Sequence, residues 1–337
     1  MTGFFAVSEA VAQALAERQP VVALETTLVT HGLPAPEGVE AALELEREVA
    51  SRGAVPATIG VLDGKLRVGL ERADLERLAA GGGGGAGPTE LRGGPPGGAG
   101  PAPAIARTAV ASERRAAKLS LGNLAAVLAS GEPGSTTVAA TLFAAARVGI
   151  QVFATGGIGG VHRGASETGD VSTDLVALAR FPVAVVCAGA KAVLDLEKTV
   201  EMLETLGVPV LGHGTDEFPA FYRRSSGLPV DRRYDVLRDL AVAVRAHFAL
   251  GLGTGVVIGN PIPAEHEMPL ELYEGSLATA LADARRLGVR GREVTPYLLE
   301  RLRELTASGS VFSNRALLVH NARVAAGLAT AIAEGAP

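Results

Sequence analysis

The stretch "IQVFATGGIGGVHRGASETGDVSTDLVALARFPVAVVCAGAK", residues 150–191, decides how this chain folds. A short apolar run enters a glycine turn, a polar segment follows, and a second apolar run, "FPVAVVCAGA", closes on Lys191. Runs that are short, nearly all apolar and bounded by glycine read as strands buried on both faces, as in a parallel sheet. Downstream, "DLEKTVEMLETLG" places Leu196, Val200 and Leu203 on one helical face, with Asp195 as N-cap and Gly207 as stop, and "VPVLG" and "GVVIGNPIP" follow as strands. Upstream, "VVALET" is a strand, and the next helix carries Ala42, Leu45 and Val49 on one face. Asp63 and Gly64 are the dipeptide of a type I′ hairpin turn within "ATIGVLDGKLRVGL". After "GNPIP" the periodicity turns helical three times in succession. This order predicts an α/β fold: a three-layer α/β/α domain spanning residues 1–337, with a mainly central sheet and a helical C-terminal region. Eleven of the twenty residues from 81 to 100 are glycine, so a mobile Gly-rich loop is expected at about 81–107.

Composition narrows the partners. The 337 residues are 47% hydrophobic and carry a net charge of -5, with no basic stripe, which argues against a nucleic-acid partner. The N-terminus reads as a short amphipathic helix rather than an export signal, and apolar runs such as "FPVAVVCAGA" fall short of a membrane span. A single cysteine, Cys187, lies inside an apolar run and reads as a core residue, which suits a reducing cytoplasm.

In an open α/β sheet, ligands bind beyond the carboxyl ends of the strands. There the sequence places Glu25, Thr26 and Thr27, the glycine loop, Lys191 and Asn260. The loop lacks the helix start that a dinucleotide fingerprint needs, so its glycines point instead to close backbone approach to a ligand. Lys191, directly after a buried strand, is placed where desolvation favours the neutral amine, a nucleophile toward a carbonyl-like carbon. A solvated or anion-binding lysine fits the same position. Glu25 can be read as a general acid or as a capping and salt-bridging group. Asp170 and Asp174 match no EF-hand spacing and no transition-metal cage; one carboxylate with waters suits Mg or Mn, and capping of turns suits both aspartates equally. His162 can be read as a substrate-orienting group or as a turn residue.

Taken together, "VVALETTLVTHGLPAPEG", "GAVPATIGVLDGKLRVGL", "GSTTVAATLFAAARVGIQVFATGGIGGVHRGA", "VVCAGAKAVLDL" and "GNPIP" resemble, in order, the blocks of the pseudouridine-5′-phosphate glycosidase (indigoidine-synthase-A-like) family. The resemblance implies a cytoplasmic lyase that splits pseudouridine 5′-phosphate reversibly into uracil and ribose 5-phosphate in pseudouridine catabolism. It also implies a Lys Schiff base, one Mn2+ per subunit, no nucleic-acid or membrane partner, and a homotrimer. By motif, the lysine of "CAGAK", Lys191, is the nucleophile, and the glutamate of "ALET", Glu25, is the proton donor. Asp170 of "GDVSTD" takes the metal position. Ser172, Thr173 and Asp174, with Lys118, Val138, His162 and Asn314, take substrate-binding or neighbouring positions. Three departures stand out: Thr26 replaces the family's usual serine while keeping the hydroxyl, the stretch at about 81–107 is longer and far richer in glycine than its family counterpart, and the pattern around Lys118 differs from the usual basic one.

Three other readings are open to the residues alone. A Rossmann-type oxidoreductase lacks its acidic ribose-binding residue. An ordinary glycosidase would pair Glu25 with Asp170 and leave Lys191 dispensable. A sugar-phosphate binding protein would use the same loops without covalent chemistry.

Overall fold

The computed structural model describes residues 3–32, 36–81, 116–289 and 294–335. Apart from Gly81, the Gly-rich loop expected at 81–107 lies outside the described residues.

The described strands are β1 (Phe5–Val7), β2 (Val21–Leu24), β3 (Val55–Leu62), β4 (Lys65–Val68), β5 (Ala117–Leu119), β6 (Gly134–Thr136), β7 (Val152–Ala154), β8 (Val161–His162), β9 (Ala184–Cys187), β10 (Leu194–Asp195), β11 (Val210–His213), β12 (Arg232–Tyr234) and β13 (Val256–Gly259). Among them, β8 and β10 form a separate antiparallel ribbon. The other eleven form one sheet, whose main path runs β1-β4-β3-β2-β7-β9-β13-β11-β12. From β3 to β12 this path is parallel throughout. Every residue of β2, β7, β9 and β13 is buried, as two covered faces require.

Helices cover both faces. Glu37–Ser51, Leu237–Ala249 and Gly309–Glu334 pack together on one, and Val138–Val148 with Thr173–Leu178 on the other, which gives the three layers. By length and apolar character the Gly309–Glu334 helix could cross a membrane; here it is a core helix, packed on β2, β7 and β9. The α/β reading therefore holds, as do the Asp195 N-cap, whose carboxylate accepts the Lys198 N–H at 3.2 Å, and the Asp63-Gly64 turn, with both residues at positive φ. Two features went unread in the sequence: β1, which joins the sheet edge parallel to β4, and a π-helical turn at Leu28–Gly32.

The mixed end of the sheet turns on β3. Its first half pairs with β2, and its second half, past the end of β2, pairs with β4 on one side and β6 on the other. Thr26, fully buried, closes the junction: its hydroxyl donates to the Ile59 carbonyl at 2.8 Å and accepts the Thr136 N–H at 2.9 Å. The hydroxyl kept at this position thus stitches three strands together directly beside Glu25. Because β2, β7 and β9 are adjacent and parallel, the residues that follow them share one edge of the sheet.

Candidate active site

At that edge, Glu25 follows β2, Thr155 follows β7, and Lys191 lies just past β9. All three line one cleft, together with His31, Lys118, Phe221, Tyr222 and Asn314. Glu25 is 8% exposed. Thr155 donates its hydroxyl to one carboxylate oxygen at 2.5 Å and Thr27 donates to the other. A carboxyl group held on both oxygens has a fixed direction, which a proton donor or acceptor requires.

Lys191 is fixed through its backbone. Its N–H donates to the Ile158 carbonyl at 3.0 Å, so the glycine loop and the lysine turn run as a continued parallel pairing. Ala190 and Ala192 on either side are buried, and the Tyr273 hydroxyl donates to the Ala192 carbonyl at 3.1 Å. The lysine stem therefore rises from a packed base. Cys187, within the same strand, is fully buried, and burial pushes its thiol up to about 12; it is a core residue, as read.

Gly156 and Gly157 of the glycine loop line the cleft, and the loop's bare backbone also makes room for packing. At Gly157 a Cβ would lie 2.7 Å from the Phe221 ring; at Gly159 it would lie 2.7 Å from the Asp174 carboxylate; at Gly160 it would run into Thr199. The protein's own side chains occupy the space that the glycines vacate.

Asp174 accounts for much of this. It is 4% exposed and accepts two backbone N–H groups, from Gly159 at 2.8 Å and from Ala139 at 2.9 Å. It thereby ties the loop to the start of the Val138–Val148 helix. Val138 is fully buried at that start, Ser172 caps the Thr173–Leu178 helix by accepting the Asp174 N–H at 3.2 Å, and Thr173 is exposed. These four residues surround two neighbouring helix N-termini and are not among those that line the cleft. Lys118, on β5, and Asn314, on the long C-terminal helix, do line it.

His162 and Asp170 are linked. The His162 N–H donates to the Asp170 carbonyl at 3.1 Å, and its Nδ1 lies 3.9 Å from the Asp170 carboxylate. Burial holds the imidazole below its ordinary pKa; the Asp170 charge opposes this, while the nearby Lys118 and Lys191 charges reinforce it. The ring is therefore within reach of the carboxylate's charge and of both cleft lysines' charges. No group of three His, Cys, Asp or Glu side chains converges as a metal cage among the described residues.

Sequence reasoning missed Thr155, His31, Phe221 and Tyr222 as cleft residues. Thr155 was within reach, since it follows a strand directly. Phe221 and Tyr222 lie in "FPAFYRRSSG", which has no periodicity but concentrates aromatics in a chain where they are only 4%. Asn260, read as a ligand-facing strand end, is instead buried, donating to the Asn321 Oδ1 at 2.9 Å.

Comparisons with known proteins cover nearly the whole chain. The indigoidine synthase A-like protein family matches residues 10–85 and 103–331. Among curated relatives, the pseudouridine-5′-phosphate glycosidase of Sorangium cellulosum is 47% identical over 97% of this chain and 93% of its own. That of Paracoccus denitrificans is 46% identical over 99% of this chain and 100% of its own. Among solved structures, the prealnumycin C-glycosynthase AlnA in complex with ribulose 5-phosphate superposes with a TM-score of 0.82 at 37% identity, covering 99% of this chain and 98% of its own. An indigoidine synthase A-like protein of Thermotoga maritima gives 0.78 at 33% identity, with 93% of each chain covered. With nearly its whole length matched and its strand-end residues gathered in one cleft, the chain belongs to the indigoidine synthase A-like, pseudouridine-5′-phosphate glycosidase family.

Proposed function

We propose that this chain is a lyase that cleaves pseudouridine 5′-phosphate reversibly to uracil and ribose 5-phosphate through a Schiff base on Lys191, serving pseudouridine catabolism. The observation that carries the reading is the shared cleft of Lys191 and Glu25, an amine and a doubly anchored carboxyl group, in a chain whose relatives bear that enzyme's name. A carbon-carbon glycosidic bond has no leaving oxygen or nitrogen to protonate. The neutral Lys191 Nζ adds at C1′ as the C1′–O4′ bond breaks and opens the ring, and the proton that the nitrogen sheds passes to O4′, which leaves the nitrogen its lone pair. Glu25 then gives its proton to C5 of the base while the nitrogen lone pair displaces the C1′–C5 bond, leaving an iminium and free uracil. Water hydrolyses the iminium to ribose 5-phosphate and restores the amine.

Lys118 supplies positive charge for the phosphate, and Ser172, Thr173, Val138 and Asp174 shape the two helix starts beside it. His162 and Asn314 orient the opened sugar. The Asp170 carboxylate suits a hard divalent cation such as Mn2+, since none of its oxygens accepts a hydrogen bond among the described residues and only His162 approaches them. When bound there, the ion would neutralise charge near the sugar phosphate. We also take the active form to be a homotrimer: Val242, Leu250 and Leu252 stay exposed on and just after the Leu237–Ala249 helix, apolar surface that a subunit contact would cover.

The test is chemical. Incubation with ribose 5-phosphate and borohydride should add one reduced sugar phosphate to the peptide containing "VVCAGAK". Lys191→Ala should abolish both that adduct and uracil release. An active Lys191→Ala enzyme would return the chemistry to the paired carboxylates.

A further inference from the structure

The most strained residue of the cleft is Phe221, which holds a φ of 63° although it is bulky and buried. That region of backbone space is the province of glycine, and an aromatic residue stays there only when its surroundings over-determine it. Here they do. The Phe221 N–H donates to the Ala188 carbonyl at 2.8 Å, and Ala220 pairs with Gly189. Gly189, itself at φ +84°, has the Pro219 carbonyl where a Cβ would stand. The loop that carries Phe221 is thus clamped to the strand end that carries Lys191. The ring lies against the bare Cα of Gly157 and meets the Tyr222 ring edge-on, 4.7 Å between centroids.

This arrangement directs a flat, rigid apolar ring into a cleft whose other functional groups include two lysines, a carboxyl group, an amide, threonine hydroxyls, the His31 imidazole and the Tyr222 ring. The polar groups suit a sugar phosphate and a proton transfer; among the rings, His31 is engaged through its Nδ1 by the Thr30 hydroxyl at 2.6 Å and Tyr222 meets Phe221 edge-on, which favours Phe221 for the planar face of a base. We infer that Phe221 is the specificity residue for the nucleobase, the platform on which the uracil ring stacks while Lys191 and Lys118 hold the sugar phosphate. The inference rests on the proposed glycosidase reading. Backbone strain here sets the direction of the ring, which glycine at 221 could not supply and an extended residue would turn away.

The reverse condensation of uracil with ribose 5-phosphate separates the two ends of the site. In Phe221→Leu, which keeps apolar bulk but loses the flat face, KM for uracil should rise about tenfold, in line with the usual contribution of base–aromatic stacking. KM for ribose 5-phosphate and the yield of the borohydride adduct should stay at wild-type levels, and Phe221→Tyr should restore the uracil KM. A wild-type uracil KM in Phe221→Leu would overturn the inference. So would a parallel rise in both KM values with a weaker adduct, which would make the ring a mere support for the lysine turn. Should Phe221→Leu fail to fold, the wild-type enzyme decides: puckered dihydrouracil should inhibit far more weakly than a planar uracil analogue, and equal inhibition would exclude a stacking platform. A wild-type protein that forms no adduct and releases no uracil would instead remove the glycosidase reading itself.

Discussion

The Thr155 hydroxyl donates to the Glu25 carboxylate at 2.5 Å across the boundary between two adjacent parallel strands, so this carboxyl group is aimed by its neighbour strand as well as by its own. Glu25→Gln should lower kcat for uracil release by about 100-fold or more, the usual worth of a general acid, while ribose 5-phosphate still forms its borohydride adduct. Thr155→Val, which frees one carboxyl oxygen, should cost about tenfold in kcat with little change in KM. Single-turnover assays and mass spectrometry of the trapped peptide check both; loss of the adduct in Glu25→Gln would mean that the carboxyl group serves imine formation instead.

Asp174 is buried and accepts the N–H groups of Gly159 and Ala139. Asp174→Ala leaves both buried donors without their charged acceptor, so it should destabilise the fold by about 3 kcal/mol. Asp174→Asn, which keeps one acceptor, should cost less. Urea unfolding midpoints measure the difference, and equal midpoints for wild type and Asp174→Ala would show the loop to be held by packing alone.

Exhaustive chelation should lower turnover at least about tenfold, with Mn restoring it better than Ca, because a single carboxylate with waters favours the smaller ion. Asp170→Ala should match the chelated enzyme and gain nothing from added Mn. Full activity after chelation would remove the ion from the mechanism.

Acid should weaken the fold through His213 and His320. Burial lowers both imidazoles below their ordinary value of 6.5; the charges of Arg323, His213 and Arg224 add to the effect at His320, and Glu265 opposes it. The folded state favours the neutral form of both rings, and unfolding lets them take up protons more readily. Their contribution is complete above 6.5 and is lost as pH falls from 6.5 toward the folded values. The urea midpoint should therefore drop between pH 7.5 and 5.5, and His320→Gln should flatten part of that drop. An identical slope in His320→Gln would assign the acid sensitivity elsewhere.

How far the sequence could be read depended on whether a residue's role lies in its position or in its direction. The placement of Lys191 and Glu25 at one edge of the sheet was legible because each follows a strand, and in a parallel sheet the end of a strand is already an address; their roles were readable only through the family resemblance. Asp174 was not, because capping, ligation and contact with a substrate all favour a carboxylate at a helix start. Only the two N–H groups at 2.8 and 2.9 Å show that the carboxylate ties the glycine loop to a helix start. The glycines of residues 156–160 signalled closeness but not to what; Phe221, Asp174 and Thr199 fill the gaps. Phe221 itself was hidden, since a left-handed aromatic in an aperiodic loop has no pattern to betray it.

Asn321, on the last helix, donates to the Thr155 carbonyl at 2.8 Å, a partner 166 residues earlier, and receives the Asn260 amide at 2.9 Å. Ribosomes make chains from the N-terminus, so Glu25, Thr155 and Lys191 all emerge before the amide that braces the end of β7. A nascent chain thus carries all three residues before Asn314 and Leu318 of the final helix exist to line the cleft with them. The enclosure is complete only once that helix has docked.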